Sequence, residues 1–320
     1  MQTHIAVVIP AYRVREHICA VVNGIGPEVQ AIYVIDDACP EASGDEIEMN
    51  CQDPRVRLIR NESNLGVGGA TIAGYEAAAR GGADVIVKMD GDGQMDPVDI
   101  FRIAAPVVDG QADYAKGNRF YNIEDLGGMP KTRLIGNMAL SFMTKLSTGY
   151  WQVFDPTNGF TAINAVLIKH LPLQKLARGY FFESDLLFRL NLLHCVVQDV
   201  PMKASYGTEK SSLSIFREFF RFLAGHTRNT VKRLGYSYFL RGFSLASIEF
   251  ALGLAALLFG LIYGAFKWIT LNAAGELASS GVVMIAALPI IVGVQLLLSA
   301  INYDVQSVPR VPFSRLVSKK

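Results

Sequence analysis

Two long apolar runs late in this 320-residue chain constrain its fold more than any other feature. Residues 243–269 are almost wholly apolar, interrupted by Glu249 and closed by Lys267 and Trp268, and a second apolar run covers residues 281–301. About 20 apolar residues, rising 1.5 Å each, cross roughly 30 Å of hydrocarbon. Each run is long enough, whereas a buried helix hairpin of a soluble protein is usually shorter and amphipathic. The 51% hydrophobic content is therefore read as two different compositions joined end to end. What precedes residue 243 has the length of one large α/β domain.

Charge orients the spans. Lys210, Arg217, Arg221, Arg228, Lys232, Arg233 and Arg241 precede the first, and Arg310, Arg315, Lys319 and Lys320 follow the second. The connecting loop is expected to hold Lys267 and Glu276. The positive-inside rule then places both chain ends and the N-terminal domain in the cytoplasm, with the sequon at Asn61-Glu62-Ser63 unused. Met1 leads directly into a strand-like stretch with no signal-peptide pattern, and four scattered cysteines suit a reducing compartment. Between domain and spans, residues 214–243 interleave Phe216, Phe219, Phe220, Phe222 and Leu223 with basic residues, which fits a helix lying on the membrane surface or one packed on the domain. Glu249 would cost roughly 2.5 to 3.5 kcal/mol at a helix centre and less near the interface. Two helices per chain are too few for a transport path, so a homo-oligomer is expected. A net charge of +1 gives no global field for nucleic acid.

In the N-terminal part, apolar β-branched runs at 5–9, 31–35, 56–59, 85–89 and 112–115 alternate with helical stretches such as 68–80 and 97–108. That alternation predicts an α/β, doubly wound, mostly parallel sheet, with ligands beyond the carboxyl ends of the strands. At those ends lie Pro10-Ala11-Tyr12, Asp36-Asp37, residues 61–64 and Asp90-Gly91-Asp92-Gly93-Gln94. Asp36 and Asp37 could equally cap the next helix. Asp90 and Asp92, one glycine apart on a tight turn, would repel each other unless a cation neutralised them. Oxygen ligands favour Mg²⁺ or Mn²⁺, with Gln94 as a further oxygen. The twelfth-position Glu of an EF-hand, the phosphate loop ending in Gly-Lys-Ser/Thr and the third glycine of a dinucleotide fingerprint are all missing. Residues 66–69 form a glycine-rich entry to a helix, suited to ligand approach or to close packing.

Taken in order, Val8-Ile9-Pro10-Ala11-Tyr12, Ile35-Asp36-Asp37, Asn64-Leu65-Gly66-Val67-Gly68-Gly69-Ala70, Met89-Asp90-Gly91-Asp92-Gly93-Gln94 and Asp155-Pro156-Thr157-Asn158-Gly159-Phe160 resemble the motifs of family 2 (type A fold) glycosyltransferases. Within them the chain resembles the polyprenyl-phosphate glycosyltransferases related to dolichyl-phosphate mannose synthase, and its two-helix tail resembles the bacterial membrane-anchored branch. The resemblance implies that Pro10, Ala11, Tyr12, Glu16, Asp37 and Asp90 bind the nucleotide sugar, while Asp90, Asp92 and Gln94 hold the metal and diphosphate. It implies an acceptor-phosphate site at Gly117-Asn118-Arg119, Arg133 and Asn137; separately, the position of Lys210 and Tyr206 just before the interfacial helix suits a lid over the acceptor, with Lys210 adding a cation. Guanidinium suits that role by donating bidentate hydrogen bonds, although Arg119 and Arg133 could instead pair with Glu124 or Asp125. Where the family commonly shows Asn-Glu-Glu after the first strand, Arg13-Val14-Arg15-Glu16 stands here.

The expected organisation is a cytosolic nucleotide-sugar domain over 1–212, juxtamembrane interfacial helices over 213–242, a transmembrane hairpin over 243–305 and a basic cytosolic tail over 306–320. The expected reaction is inverting transfer of a hexose from a UDP- or GDP-sugar to a polyisoprenyl phosphate at the membrane. Asp155 is the first candidate for a base and Glu183 the second, with Arg119 and Arg133 supporting catalysis electrostatically. Competing readings are a transferase acting on a glycan or glycerolipid, and a catalytically silent membrane scaffold.

Overall fold

The computed structural model describes residues 3–121, 131–156, 158–203 and 215–317, with the side chains of 131–135 and 215–218 outside that description. Contacts divide the chain into two units: residues 1–230 together with 309–320, and residues 231–308.

The first unit is built on a seven-stranded sheet: β1 (Ile5–Ala11), β2 (Ala31–Asp36), β3 (Val56–Arg60), β4 (Val85–Lys88), β5 (Tyr114–Asn118), β6 (Thr161–Asn164) and β7 (Val197–Pro201), in the order β3-β2-β1-β4-β6-β5-β7. The parallel block β3-β2-β1-β4 is the expected doubly wound half. Beyond it β6 runs antiparallel to both β4 and β5, and β5 pairs parallel with β7. The sheet is thus mixed. The fifth strand starts at Tyr114, not 112, so Gly117 and Asn118 are strand residues.

Helices cover both faces because strand side chains alternate. Ile5, Val7 and Ile9 of β1 join one core with Ile18, Val21 and Val22 of α1 (Arg15–Asn23) and Ile100, Ile103 and Val107 of α4 (Ile100–Val108). Val8 points the other way, toward α3 (Gly66–Arg80), whose Gly74 leaves no room for a side chain: a Cβ there would meet Val8 at 2.2 Å. Between these lie α2 (Ser43–Asn50), and later α5 (Lys131–Thr148) and α6 (Phe182–Leu192).

Helix α7 (Ile215–Leu234) has an exposed apolar side and a buried polar one. Phe219, Phe220 and Leu223 are exposed, whereas His226 and Asn229 are buried. His226 Nδ1 meets the Ser147 hydroxyl at 2.8 Å, and the Asn229 amide donates to Asp185 at 3.0 Å. After the second unit the chain re-enters the first: the Phe313 and Ser314 amides of α10 (Phe313–Val317) donate to the Asp113 carboxylate at 2.7 and 2.8 Å.

The second unit holds α8 (Leu245–Ala274) and α9 (Ser280–Gln306), both long and apolar enough to cross a membrane. Only 22% and 6% of their apolar windows are buried, unlike the mostly buried helices of a soluble core. Lys267 lies inside α8, not in the connecting loop where it was expected, because the helix runs on to Ala274. The helices meet through small residues, as apolar surfaces in lipid must: a Cβ on Gly260 would strike the Ala286 carbonyl at 2.7 Å, and one on Gly293 the Leu257 nitrogen at 2.7 Å. Arg233 holds Asp304 through two hydrogen bonds of 2.6 and 3.0 Å, and the Tyr238 hydroxyl donates to the same carboxylate.

Candidate active site

A cavity of about 620 Å³ opens at the carboxyl ends of β1, β2 and β4, lined by Pro10, Ala11, Tyr12, Asp37, Lys88, Asp90, Gly91, Asp92, Gly159 and Glu183 among others. This is where a parallel sheet places its ligand. Pro10 and Ala11 end β1, and the Tyr12 ring stands 40% exposed at the mouth with the Arg13 guanidinium 5.5 Å from its centre.

The Asp37 carboxylate accepts from the Leu65 and Gly66 amides at 2.9 and 2.8 Å and from the Asn61 amide at 2.7 Å. It therefore caps α3, a helix later in the chain than the one adjacency would choose. Asp36 instead accepts from the Cys39 amide at 2.9 Å. The glycine-rich entry to α3 packs closely at Gly68 and Gly69, whose amides donate to the Arg178 carbonyl at 2.8 and 3.2 Å and where a Cβ on Gly68 would meet the Ala177 oxygen at 2.5 Å, while Gly66 and Val67 line the cavity.

Asp90 and Asp92 follow β4 and both line the cavity. Gly91 between them lies against α1, where a Cβ would meet Ile18 at 2.8 Å, so the turn stays tight. Asp92 accepts from the Gln94 backbone amide at 3.0 Å, while the Gln94 side chain is not among the lining groups. Asp90 accepts from Lys88 Nζ at 2.9 Å, and the same ammonium reaches Glu183 at 3.2 Å. Burial works to lower the Lys88 pKa, but Asp90 and then Glu183 outweigh it and hold the ammonium above its ordinary value.

Among the described residues no group of three or more His, Cys, Asp or Glu side chains forms a metal cage. Two carboxylates facing one cavity nevertheless fit Mg²⁺ or Mn²⁺, which complete their coordination with phosphate oxygens and water.

Asp155 lies elsewhere. It is fully buried, outside the cavity lining, and accepts from Arg119 Nε at 2.8 Å and Nη2 at 3.1 Å. This is a bidentate clamp within the protein. Beside it Asn118 and the Phe154 amide donate to Asp199, whose carboxyl burial raises to about 6 against the pull of those donors and of Lys116. Lys116 is itself buried, donates to the Asn158 carbonyl, and is lowered by burial to about 8. Glu16 is exposed in the first turn of α1, away from the cavity, and Arg15 and Arg13 pair with Glu46 and Glu41. Asn137 is half-buried on α5. The side chain of Arg133, and all of Thr157, Tyr206 and Lys210, lie outside the described residues.

Sequence reasoning missed Lys88, Tyr180 and Phe222 in the cavity wall. Lys88 carried a signal: a charge inside a buried β-branched strand requires a partner, and Asp90 two residues on lies on the same side.

A mixed sheet with acidic turns around one cavity at its strand ends has the form of a ligand-binding α/β fold. Residues 6–171 match the glycosyl transferase family 2 pattern, slightly over half the chain, and the protein belongs to that family. It is 32% identical over 63% of its length to a UDP-N-acetylglucosamine–dolichyl-phosphate N-acetylglucosaminyltransferase of Methanococcus voltae, of which 86% is covered. It is 30% identical over 66% of its length to a polyprenol monophosphomannose synthase of Mycolicibacterium smegmatis, of which 82% is covered. A glucosyl-3-phosphoglycerate synthase of Mycobacterium tuberculosis, crystallised with Mn²⁺, UDP and phosphoglyceric acid, shares the fold at a TM-score of 0.54 and 20% identity, over 72% of this chain and 78% of that one.

Proposed function

We propose that this glycosyltransferase moves a hexose from a UDP- or GDP-sugar to a polyisoprenyl phosphate, with inversion, at the cytoplasmic face of a membrane. The observation that carries the reading is the convergence of Asp90 and Asp92 on one cavity at the strand ends, in a chain that also has two membrane-length helices. Of the two relatives named above, one is a dolichyl-phosphate N-acetylglucosaminyltransferase and the other a polyprenol monophosphomannose synthase, which supports a lipid-phosphate acceptor.

Tyr12 offers its exposed ring to the base, with Pro10 and Ala11 as the floor beneath the ribose. Asp37 keeps the base pocket in shape by holding α3, and Asp90 and Asp92 would hold the divalent ion. A bound Mg²⁺ or Mn²⁺ would supply charge neutralisation for the departing diphosphate. The acceptor phosphate, with a second pKa of about 6, is already an anion and needs no strong base. Asp155 then serves by fixing Arg119, which with Arg133, Asn137 and Lys210 forms the acceptor-phosphate site. Re-entry of the chain into the first unit at Pro309 supports both ends lying on one side of the membrane. The two spans suit a homo-oligomer, as narrow bundles generally do.

The test is a screen of UDP-glucose, UDP-N-acetylglucosamine and GDP-mannose with undecaprenyl or dolichyl phosphate and Mg²⁺ or Mn²⁺. A glycolipid whose sugar is released by mild acid is expected. An acid-stable glycoside would point to a glycerolipid or glycan acceptor, and no transfer with any donor would point to a silent scaffold.

A further inference from the structure

Lys88 provides the one cationic side chain among the described residues that line the cavity, against the carboxylates of Asp90, Asp92, Glu183 and Asp37. It is fixed in position. Its backbone lies mid-sheet, paired with Val8 of β1 and Thr161 of β6, and only 2% of its side chain is exposed. Gly159 closes over its ion pair: a Cβ there would fall 2.4 Å from Lys88 Nζ and 2.6 Å from Asp90 Oδ2. The ammonium has two partners far apart in the sequence, Asp90 at 2.9 Å and Glu183 at 3.2 Å. They differ in access, since 32% of the Asp90 side chain is exposed and 10% of Glu183.

We propose that Lys88 is a resident counter-ion of the acidic turn, occupying an Asp90 oxygen until the donor's diphosphate arrives and then resting on Glu183. The inference depends on the metal-and-donor reading above and deepens it. An ammonium beside Asp90 repels a second cation, so a divalent ion alone is poorly held. A diphosphate brings negative charge that offsets the ammonium. Metal and nucleotide therefore bind cooperatively, and by linkage each raises the affinity of the other by the same factor. Glu183 makes the exchange possible, because a buried ammonium left with no carboxylate would be strongly penalised.

The experiment is a Mn²⁺ titration of the full chain in nanodiscs, reading the free aquo-ion by electron paramagnetic resonance, with and without UDP or GDP. Wild type is expected to bind Mn²⁺ at least about tenfold more tightly with one of the nucleotides than without. Lys88→Met should tighten Mn²⁺ in the nucleotide-free protein by roughly tenfold, the lower end of what changes beside a metal site produce, and should shrink the nucleotide effect. Glu183→Gln leaves Asp90 as the sole carboxylate for Lys88 and should weaken nucleotide-free Mn²⁺ binding several-fold. Unchanged or weaker Mn²⁺ binding by a Lys88→Met protein that still binds nucleotide overturns the proposal. Should that variant not fold, unchanged or tighter binding by Glu183→Gln overturns it. A wild type that binds Mn²⁺ with neither nucleotide marks the separate failure of the metal-and-donor reading, and the proposal falls with it.

Discussion

Arg119 with Asp155, and Lys88 with Asp90, each join a cation to a carboxylate. Asp155 has no exposed surface, whereas 32% of the Asp90 side chain reaches the cavity. The first pair is bidentate, and its carboxylate is fully buried. The second is single-point, has Glu183 as an alternative, and opens on the space a ligand would fill. The difference separates a fixed frame from an exchangeable contact. In sequence Asp90 reads as a metal ligand and Asp155 as a candidate base; their surroundings show one open to the cavity and the other buried.

Breaking the closed pair should have the largest effect. Arg119→Met leaves a buried carboxylate without its guanidinium and should cost about 3 to 5 kcal/mol of stability, seen as a large fall in melting temperature. Adding Asp155→Leu should restore most of the stability without restoring transfer, if Arg119 meets the acceptor. Recovery of transfer by the double variant would make the pair purely structural.

Gly159→Ala probes the open pair. Its methyl must displace Lys88, Asp90 or the backbone, at a cost of about 1 to 3 kcal/mol as for other overpacked sites. Nucleotide affinity in the presence of Mn²⁺ should fall with it. Normal affinity would mean that the positions of these two side chains do not matter to binding.

The smallest effect concerns Asp199, next to the closed pair. Burial raises its carboxyl to about 6, above the usual 3.8 of an aspartate, so the native state binds the extra proton. Its contribution is therefore fully present below about pH 4 and is lost as pH rises through 6. At most about 3 kcal/mol is involved, from 1.36 kcal/mol per pKa unit. Asp199→Asn should flatten the melting-temperature profile between pH 4 and 6, and an unchanged profile would refute the assignment.

Much of this was legible in the residues. β-branched runs located the parallel strands, and length with apolarity located α8 and α9. The Asp90-Gly91-Asp92 turn stood out because two like charges so close require an explanation. Other features depend on contacts that no local pattern encodes. The second partner of Lys88 is 95 residues away. Asp37 caps α3 only because the fold brings residues 65 and 66 to the end of β2. β6, four residues long and antiparallel, follows directly on a motif that reads as a loop. The burial of Asp155 is likewise a tertiary fact, since an Asp-Pro step in isolation looks solvated.

The account rests most heavily on Asp92, which lines the cavity at the end of β4. The decisive measurement is metal-dependent transfer of labelled sugar to polyprenyl phosphate by Asp92→Ala and Asp92→Asn proteins in nanodiscs, beside wild type. The account predicts product with wild type and Mg²⁺ or Mn²⁺, abolished by chelation, and none above background with either variant despite a normal melting temperature. Wild-type rates from the variants with metal present would contradict it.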